Sequence, residues 1–270
     1  MRIEVNHRTT YRYDAPAAGL VQALRLSPGP HEGQHIAEWR VETDADGGYR
    51  ERRDVFGNRL CMFYAERPLS EITVTVTGLA IVSDTAGVVR APEPLPPGIF
   101  LRSTDLTAPS APIAELAGRF ADLPPLAGLH ALCGHLHETL RFDPDATDAT
   151  TAAADALIAG RGVCQDFSHI FVAAARLLDL PARYVSGHLA RTEQRQQDAA
   201  HAWAEVLVPD LGWVAFDPAN GLCATDAYVR VAVGLDYLDA APIRGSRRGG
   251  GAETMTVAVK ARAAQIQSQE

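Results

Sequence analysis

The amino-acid sequence predicts an α+β protein in which an antiparallel β-region precedes a core of helices and strands. Three observations lead to this prediction. Apolar residues alternate with a period of two over residues 1 to about 88, recur at helical spacing from 113 to 180, and alternate again from 182 to 233. Helices that come first and strands that follow them are typical of an α+β core.

The N-terminal region contains several runs that alternate as strands do. They are Arg2–Tyr13, His35–Thr43, Tyr49–Asp54, Arg59–Tyr64 and Glu71–Val82. Glycine-containing turn signals lie between them, at residues 46–48 and 56–58. We therefore expect an antiparallel, sandwich-like domain over residues 1–90. Residues 91–112, which begin with APEPLPPG, are expected to form a stiff proline-rich linker.

The remaining residues, 113–270, are expected to form the core together with the C-terminal strands. Helical patterns extend from Ile113 to Leu180, and strands extend from Ala182 to Val233. A glycine- and arginine-rich segment at 245–251 separates two strand-like runs, and we interpret it as a mobile hairpin loop. A phosphate-binding loop is the weaker interpretation, because the lysine and following helix of a P-loop are missing.

Composition and charge narrow the classes of function. The 270 residues are 47% hydrophobic and 21% charged, and the net charge is −8, which favours a soluble globular protein over one that binds nucleic acid or an anionic membrane. No apolar run reaches the roughly 18 residues that span a bilayer, and the N-terminus alternates like a strand instead of forming a signal peptide. The four cysteines are widely spaced, which fits reduced thiols and a cytoplasmic location.

Cys164 stands where a cysteine nucleophile is expected. A glycine-containing loop, residues 160–163, precedes it, and apolar residues then recur at helical spacing: Phe167, Ile170, Phe171, Ala174 and Leu178. Cys164 therefore begins a helix, whose unpaired N–H groups and positive dipole end favour the thiolate. A small buried apolar cysteine is the alternative, and Cys61, Cys133 and Cys223 are interpreted in that way.

His201 and Asp217 lie on two strand-like runs, 201–208 and 212–217, that predict a hairpin. A symmetric hairpin centred on residue 209 puts Asp217 directly opposite His201 and on the same face, within hydrogen-bonding reach. An imidazole can then take the thiol proton, while a carboxylate fixes its tautomer. The ordinary alternatives are that His201 is a structural strand histidine with its hydrogen bonds satisfied and that Asp217 is a turn residue. The three residues together favour a thiol-dependent acyl-transfer site.

At these residues the sequence resembles the transglutaminase-like superfamily, in particular its bacterial members with a β-rich N-terminal region. The segments that carry the resemblance are GRGVCQDFSHIF (160–171), LLDLPARYVSGHL (177–189), HAWAEVLVPDLGWVAFDPANG (201–221) and VRVAVGLDYLDAAPIRG (229–245), with LVQALRLSPGPHEGQ (20–34) and DVFGNRLCMFYAE (54–66) upstream. The resemblance implies a papain-like core, in which the helix carrying the cysteine packs on an antiparallel sheet. It also implies Cys164 as nucleophile, His201 as base and Asp217 as the orienting carboxylate.

One departure from the family pattern bears on the activity. Protein-crosslinking transglutaminases usually have an aromatic residue directly after the nucleophile, whereas Gln165 and Asp166 follow it here. Bacterial relatives with this pattern resemble cysteine peptidases or amidases. We therefore expect hydrolysis of an amide or peptide bond through a thioester, with protein-glutamine transglutaminase activity or an inactive binding module as alternatives. The expected partner is a peptide or protein substrate, and no cofactor is expected.

Other residues are candidates for supporting roles at or near the site. Trp203 shares a predicted face with His201, so it could line a substrate groove or be an ordinary packed aromatic. Asp166 is expected to cap the helix or to hold a nearby loop. The Cys164 N–H is the natural first oxyanion donor, and a second is not visible. The histidine-rich segment His130–His137 is interpreted as a partly exposed helix, not as a metal site, and a zinc site formed by the three proposed catalytic residues is the weakest alternative.

Overall fold

The computed structural model of the chain describes residues 1–191 and 199–264. The strands, in chain order, are β1 Arg2–Ser27, β2 Gln34–Thr43, β3 Gly47–Arg53, β4 Arg59–Ala65, β5 Leu69–Val82, β6 Val88–Val89, β7 Arg141–Phe142, β8 Arg161–Gly162, β9 Ala182–Leu189, β10 His201–Val208, β11 Gly212–Asp217, β12 Leu222–Cys223, β13 Tyr228–Gly234, β14 Ile243–Gly249 and β15 Glu253–Ala263. The helices are α1 Ala111–Gly118, α2 Pro125–Thr139, α3 Ala153–Ala159, α4 Cys164–Leu177 and α5 Tyr237–Ala240. No helix among the described residues is both long and apolar enough to cross a bilayer.

The N-terminal strands form one curled antiparallel sheet in the order β2-β5-β1-β4-β3. Its central strand β1 is much longer than the run Arg2–Tyr13 that the sequence predicts. It continues through Pro16, where a register shift lets its first half pair with β5 and its second half with β4. Inward-facing side chains from both halves of β1 share one buried cluster with side chains of β4 and β5, which makes the region sandwich-like. Members of this cluster include Tyr11 and Leu24 of β1, Phe63 of β4 and Val74 of β5.

The C-terminal strands correct one part of the predicted domain division. β14 and β15 pair with the two halves of β1, so they complete the N-terminal sheet and do not belong to the core. Residues 245–249, the greater part of the segment 245–251 interpreted above as a hairpin loop, are strand, because pairing with β1 satisfies their backbone hydrogen bonds despite the glycines. Periodicity identifies a strand but carries no information about which distant strand it will pair with.

The core is a second antiparallel sheet with α4 packed on one face. Its strand order is β12-β11-β10-β9-β13, and β6 pairs with β11 at the edge. Apolar residues of α4, including Phe167, Ile170 and Phe171, lie in one buried cluster with Ala204, Val206 and Phe216 of the sheet. This is the helix-on-sheet arrangement that the family resemblance implies, and it brings the start of α4 close to one end of β10.

Side-chain hydrogen bonds fix the two sheets to each other. Asn58 donates to the Val233 carbonyl at 2.7 Å and accepts from the Val233 N–H at 2.9 Å. The predicted linker is also packed against the core: Phe100 is 2% exposed, and Glu93 forms an ion pair with the buried Arg183 at 2.7 Å. Residues 91–112 therefore lie on the core as an ordered strap.

Candidate active site

The loop that leads into Cys164 is held by the carboxylate of Asp166. Asp166 Oδ2 accepts hydrogen bonds from the Val163 N–H at 2.7 Å and from Thr147 Oγ1 at 2.6 Å. Gly160 ends α3 with a φ of 64°, a left-handed conformation that glycine adopts without strain. Asp166 thus caps the start of α4 and also ties down the loop that contains Thr147.

Cys164 is half-buried and, like Tyr237, packs against the buried cluster that contains Tyr184 and Ala202. It is the first residue of α4, so its N–H has no carbonyl of its own helix to bond to. No other acceptor for this N–H is found among the described residues. The sulfur and a free N–H donor are therefore presented together at the positive end of a helix dipole.

His201 and Asp217 meet at the end of the core sheet. His201 Nε2 lies 2.6 Å from Asp217 Oδ2, and the two residues are 6% and 0% exposed. Since the carboxylate accepts from Nε2, the ring nitrogen that remains to exchange a proton with a thiol is Nδ1. The base and the orienting carboxylate of the sequence-based interpretation are therefore in direct contact.

The hairpin that joins these residues has a different register from the predicted one. Val208 pairs with Gly212, and the ladder continues to Ala204 opposite Phe216, which places Asp217 across from position 203. The predicted centre at residue 209 would leave a turn of one residue, whereas the turn contains residues 209–211, with Asp210 at a φ of 62°. The shift by two positions keeps His201 and Asp217 on one face, as diagonal neighbours within reach.

The carboxylate of Asp217 is saturated with hydrogen bonds. Oδ2 also accepts from Asn220 Nδ2 at 2.6 Å and from the Tyr228 hydroxyl at 2.7 Å, while Oδ1 accepts from the Ala219 N–H at 3.1 Å. Burial alone raises the pKa of Asp217, but the hydrogen bond and charge of His201, followed by the other donors, hold the pKa below its usual value. Asp217 is therefore ionised despite its burial.

The charge state of His201 follows from the same contacts. Burial alone lowers the pKa of the imidazole, but hydrogen bonds to Asp217 and Cys164 and the charges of these two groups raise the pKa to about 10. The site consequently favours an imidazolium that faces Cys164 on one side and Asp217 on the other. This is the charge distribution that a thiolate–imidazolium pair requires.

Aromatic packing orients the imidazole. The His201 ring stacks on Trp203 with a centroid distance of 6.1 Å, and Tyr228 packs edge-on against Trp203 at 5.3 Å. Trp203 is only 1% exposed, so the expectation that it lines a substrate groove is not met, and it is a packed aromatic. The ring also covers Gly187, where an added Cβ would lie 2.5 Å from it. Trp203 therefore supports one face of the His201 ring.

Sequence reasoning missed two residues of this site, Asn220 and Tyr228. Asn220 follows Asp217 in the turn Asp-Pro-Ala-Asn-Gly, so its proximity was available as a local signal. Tyr228 had no such signal, because its strand β13 pairs with β9 and reaches Asp217 only through the tertiary fold.

The histidine-rich helix α2 serves a structural role next to the site. His137 Nδ1 bonds to the Ala219 carbonyl at 3.0 Å, and its ring lies against Gly221, so it supports the turn after Asp217. His135 packs beside Phe120. Within residues 1–191 and 199–264, no group of three or more His, Cys, Asp or Glu side chains is placed to hold a metal ion.

Two family models match the chain. Residues 114–218, which include Cys164, His201 and Asp217, match the transglutaminase-like superfamily. Residues 3–80 match the bacterial transglutaminase-like N-terminal region. The first match covers α4 and the hairpin of the core, and the second covers most of the N-terminal sheet.

Similar proteins span most or all of the chain. An uncharacterised protein of Mycobacterium leprae is 31% identical over 275 residues, which are 96% of this chain and 98% of that protein. An uncharacterised protein of Mycobacterium tuberculosis is 28% identical over 282 residues, covering 90% and 87% of the two chains. The crystal structure of a candidate cysteine protease from Cytophaga hutchinsonii has a TM-score of 0.79 at 20% identity and covers all of this chain and 92% of that one. That structure has the same two-sheet fold.

Proposed function

The chain belongs to the transglutaminase-like superfamily, and we propose that it catalyses thiol-dependent acyl transfer at an amide or peptide bond. The observation that carries the proposal is the buried hydrogen bond of 2.6 Å between His201 Nε2 and Asp217 Oδ2, with Cys164 beside the same imidazole at the start of α4. In this proposal Cys164 is the nucleophile, His201 the proton carrier and Asp217 the group that orients it.

The first half-reaction forms a thioester. His201 Nδ1 takes the thiol proton, and the thiolate adds to the carbonyl carbon of the amide. The resulting oxyanion accepts a hydrogen bond from the Cys164 N–H, which supplies one donor of an oxyanion hole. When the tetrahedral intermediate collapses, the C–N bond breaks and the imidazolium proton goes to the leaving amine. Asp217 stays ionised throughout and stabilises the imidazolium.

The second half-reaction distinguishes two activities. If water attacks the thioester, His201 accepts a water proton and the products are a carboxylic acid and the restored thiol. If an amine attacks, a new amide forms and the reaction is a transglutamination. We propose hydrolysis, because water reaches any open site and because Gln165 and Asp166 follow the nucleophile where crosslinking relatives usually have an aromatic residue.

The proposal is tested by the pH dependence of cysteine alkylation. Iodoacetamide labelling, read for each cysteine by mass spectrometry, compares Cys164 with Cys61, Cys133 and Cys223 in the same molecule. Burial raises the pKa of all three comparison thiols, that of Cys133 to about 12, so they should react slowly below pH 8. We expect Cys164 alone to react quickly at pH 6–7, and His201→Ala to abolish that low-pH reaction.

The opposite outcome has a clear meaning. If Cys164 reacts no faster than the other three cysteines, or if its reaction does not depend on His201, no thiolate–imidazolium pair exists and the inactive binding module becomes the better interpretation. If the pair exists, release of ammonia from glutaminyl peptides, with and without an added primary amine, separates hydrolysis from transglutamination. Incorporation of the amine in preference to water would assign the second activity.

A further inference from the structure

One exposed face of the N-terminal sheet carries arginines on both of its outer strands. Cross-strand pairing aligns Arg244 of β14, Ala23 of β1, Met62 of β4 and Arg50 of β3 in a single row. We call this surface the arginine face and define it by Arg50, Arg52, Arg244 and Arg248 with Met62 and Tyr64 between them. The strand alternation that buries Phe63 directs these side chains outward.

The floor of the arginine face is apolar and is not part of the protein core. Met62 and Tyr64 are half-buried, and neither belongs to a buried hydrophobic cluster of the described residues. The Arg50 guanidinium lies 5.9 Å from the centroid of the Tyr64 ring, so its long side chain partly covers this floor. The surface therefore offers both apolar contact area and positive charge.

The four arginines have no carboxylate partner among the described residues, although other arginines of the chain do. Arg12, Arg25, Arg40, Arg90 and Arg262, for example, each form an ion pair with an acidic side chain. The chain carries 33 acidic against 25 basic residues, so carboxylates are the commoner group. A concentration of unneutralised arginines in such a chain leaves a local positive potential that favours an acidic partner.

The arginine face adjoins the candidate active site. Arg244 Nη1 donates to the Leu238 carbonyl at 3.3 Å, and Leu238 lies in the short helix α5. The neighbouring residue Tyr237 packs in the same cluster as Cys164. The arginine face is therefore connected through α5 to the cluster against which Cys164 packs.

We propose that the arginine face binds an acidic, extended segment of the protein substrate. Its carboxylates would pair with arginines of the two outer strands, and its apolar side chains would lie on Met62 and Tyr64. Three strand spacings of about 4.8 Å separate the backbones of β14 and β3, roughly 14 Å, which matches carboxylates about four residues apart in an extended chain. Only the identity of the bound protein as substrate rests on the proposed function; the binding itself does not.

Binding is measured by fluorescence anisotropy with a labelled peptide that carries glutamates four residues apart and apolar residues between them. The protein is the full chain with Cys164→Ala, so that turnover does not interfere. We expect binding that weakens as salt is raised from 50 to 300 mM. The double variant Arg50→Glu/Arg244→Glu should bind at least tenfold more weakly, and Arg50→Lys/Arg244→Lys should retain most of the affinity. Arg90→Glu/Arg119→Glu, at two exposed arginines elsewhere, should stay within twofold.

Several results would overturn the proposal. Equal binding of a peptide with glutamine in place of glutamate would show that the surface does not recognise the negative charge of the peptide. Wild-type affinity in the Arg50→Glu/Arg244→Glu variant would place the binding elsewhere. Tighter, arginine-dependent binding of a single-stranded oligonucleotide or of anionic vesicles would assign the face to another class of partner. Peptide binding without an activated Cys164 would retain this surface and remove only the catalytic proposal.

Discussion

The ionised carboxylate of Asp217 determines the protonation state of His201. Burial of both residues would by itself favour a neutral imidazole, and only the contacts with Asp217 and Cys164 reverse this preference. The site thus holds a charged pair inside a nearly closed part of the protein. Its two charges compensate each other because the hydrogen bond between them is short and the other carboxylate lone pairs are occupied.

Replacing Asp217 with asparagine should lower the pKa of His201 well below its value of about 10. The amide keeps the shape but removes the negative charge, so that burial then dominates and favours the neutral ring. The titration of the His201 ring, followed by ¹⁵N chemical shifts in labelled protein, measures this shift without a substrate. Once a substrate is found, kcat/KM should fall by about 10³- to 10⁴-fold. An unchanged His201 titration would contradict the assigned role of Asp217.

Tyr228→Phe should test whether the hydroxyl positions Asp217. The change removes one hydrogen bond to Oδ2 and leaves the His201 and Asn220 bonds in place, so we expect a loss of about tenfold in kcat/KM with little change in KM. The rate of Cys164 alkylation at pH 6–7 should fall in parallel. Tyr49→Phe, at an exposed tyrosine on β3, is the matched control and should behave as wild type. Equal activity of both variants would leave Tyr228 with a packing role only.

The proposed catalytic residues could be found from the sequence because each has a local signal. Cys164 begins an amphipathic helix, and His201 and Asp217 lie on neighbouring runs of one hairpin. Tyr228 could not be found, since it depends on the pairing of β13 with β9. For Trp203 the sequence left two environments open, because strand periodicity gives the direction of a side chain and not what covers it, and the structure has the packed one.

The register of the β10–β11 hairpin depends only in part on the local sequence pattern. Parity is fixed by the period of two, so His201 and Asp217 share a face under any even shift. The register itself depends on the three-residue turn at 209–211 and on the left-handed backbone of Asp210. The contact between His201 and Asp217 was thus predicted from an incorrect pairing, because side chains at diagonal positions still meet.

Gly187→Ala should disturb the packing of Trp203, on which the His201 imidazole stacks. An added Cβ would lie 2.2 Å from the Val229 carbonyl oxygen and 2.5 Å from the Trp203 ring, so that β9, β13 or the indole must move. We expect the free energy of unfolding to fall by roughly 1–3 kcal/mol, the usual cost of overpacking, and Cys164 activation to fall as His201 loses its support. Urea unfolding and alkylation at pH 6–7 measure the two effects.

Gly134→Ala provides the control for this prediction. Gly134 lies inside α2, and an added Cβ there meets nothing within 4 Å. The same chemical change should therefore stabilise the protein by up to about 1 kcal/mol through helix propensity and leave Cys164 reactivity unchanged. A Gly187→Ala protein as stable as the Gly134→Ala protein would show that β9 can move to make room for the Cβ without a loss of unfolding free energy.

Strands from the N-terminal region and from residues 243–263 complete one sheet around the shared strand β1. β1 has partners from the start and from the end of the sequence along both of its halves. The core is therefore an insertion between strands of one sheet, and the division into an N-terminal and a C-terminal unit does not describe the packing. Such long-range pairing is invisible to periodicity, because each strand is compatible with many partners.

The contact between the two sheets contains a buried pair of histidines, which should make the protein sensitive to acid. His7 of β1 and His188 of β9 are 3% and 2% exposed, their rings are 5.5 Å apart, and neither Nδ1 has a hydrogen-bond partner in the described structure. Burial lowers the pKa of His7 to about 4, and burial together with the charge of His7 lowers that of His188 to about 3. Both rings are therefore neutral in the folded protein at pH 5.

In the unfolded chain these histidines bind protons with a pKa near 6.5. The stability that depends on their neutral form is therefore fully present above that pH and is lost as pH falls towards 4. At pH 5 each histidine should make the free energy of unfolding about 2 kcal/mol lower than at pH 7.5. In His7→Leu/His188→Leu the difference in unfolding free energy between pH 7.5 and pH 5, measured in urea, should shrink by about 4 kcal/mol. His35→Leu, at an exposed histidine of β2, should leave that difference unchanged. An equal pH difference in the double variant and the wild type would show that protonation of these rings does not weaken the contact between the sheets.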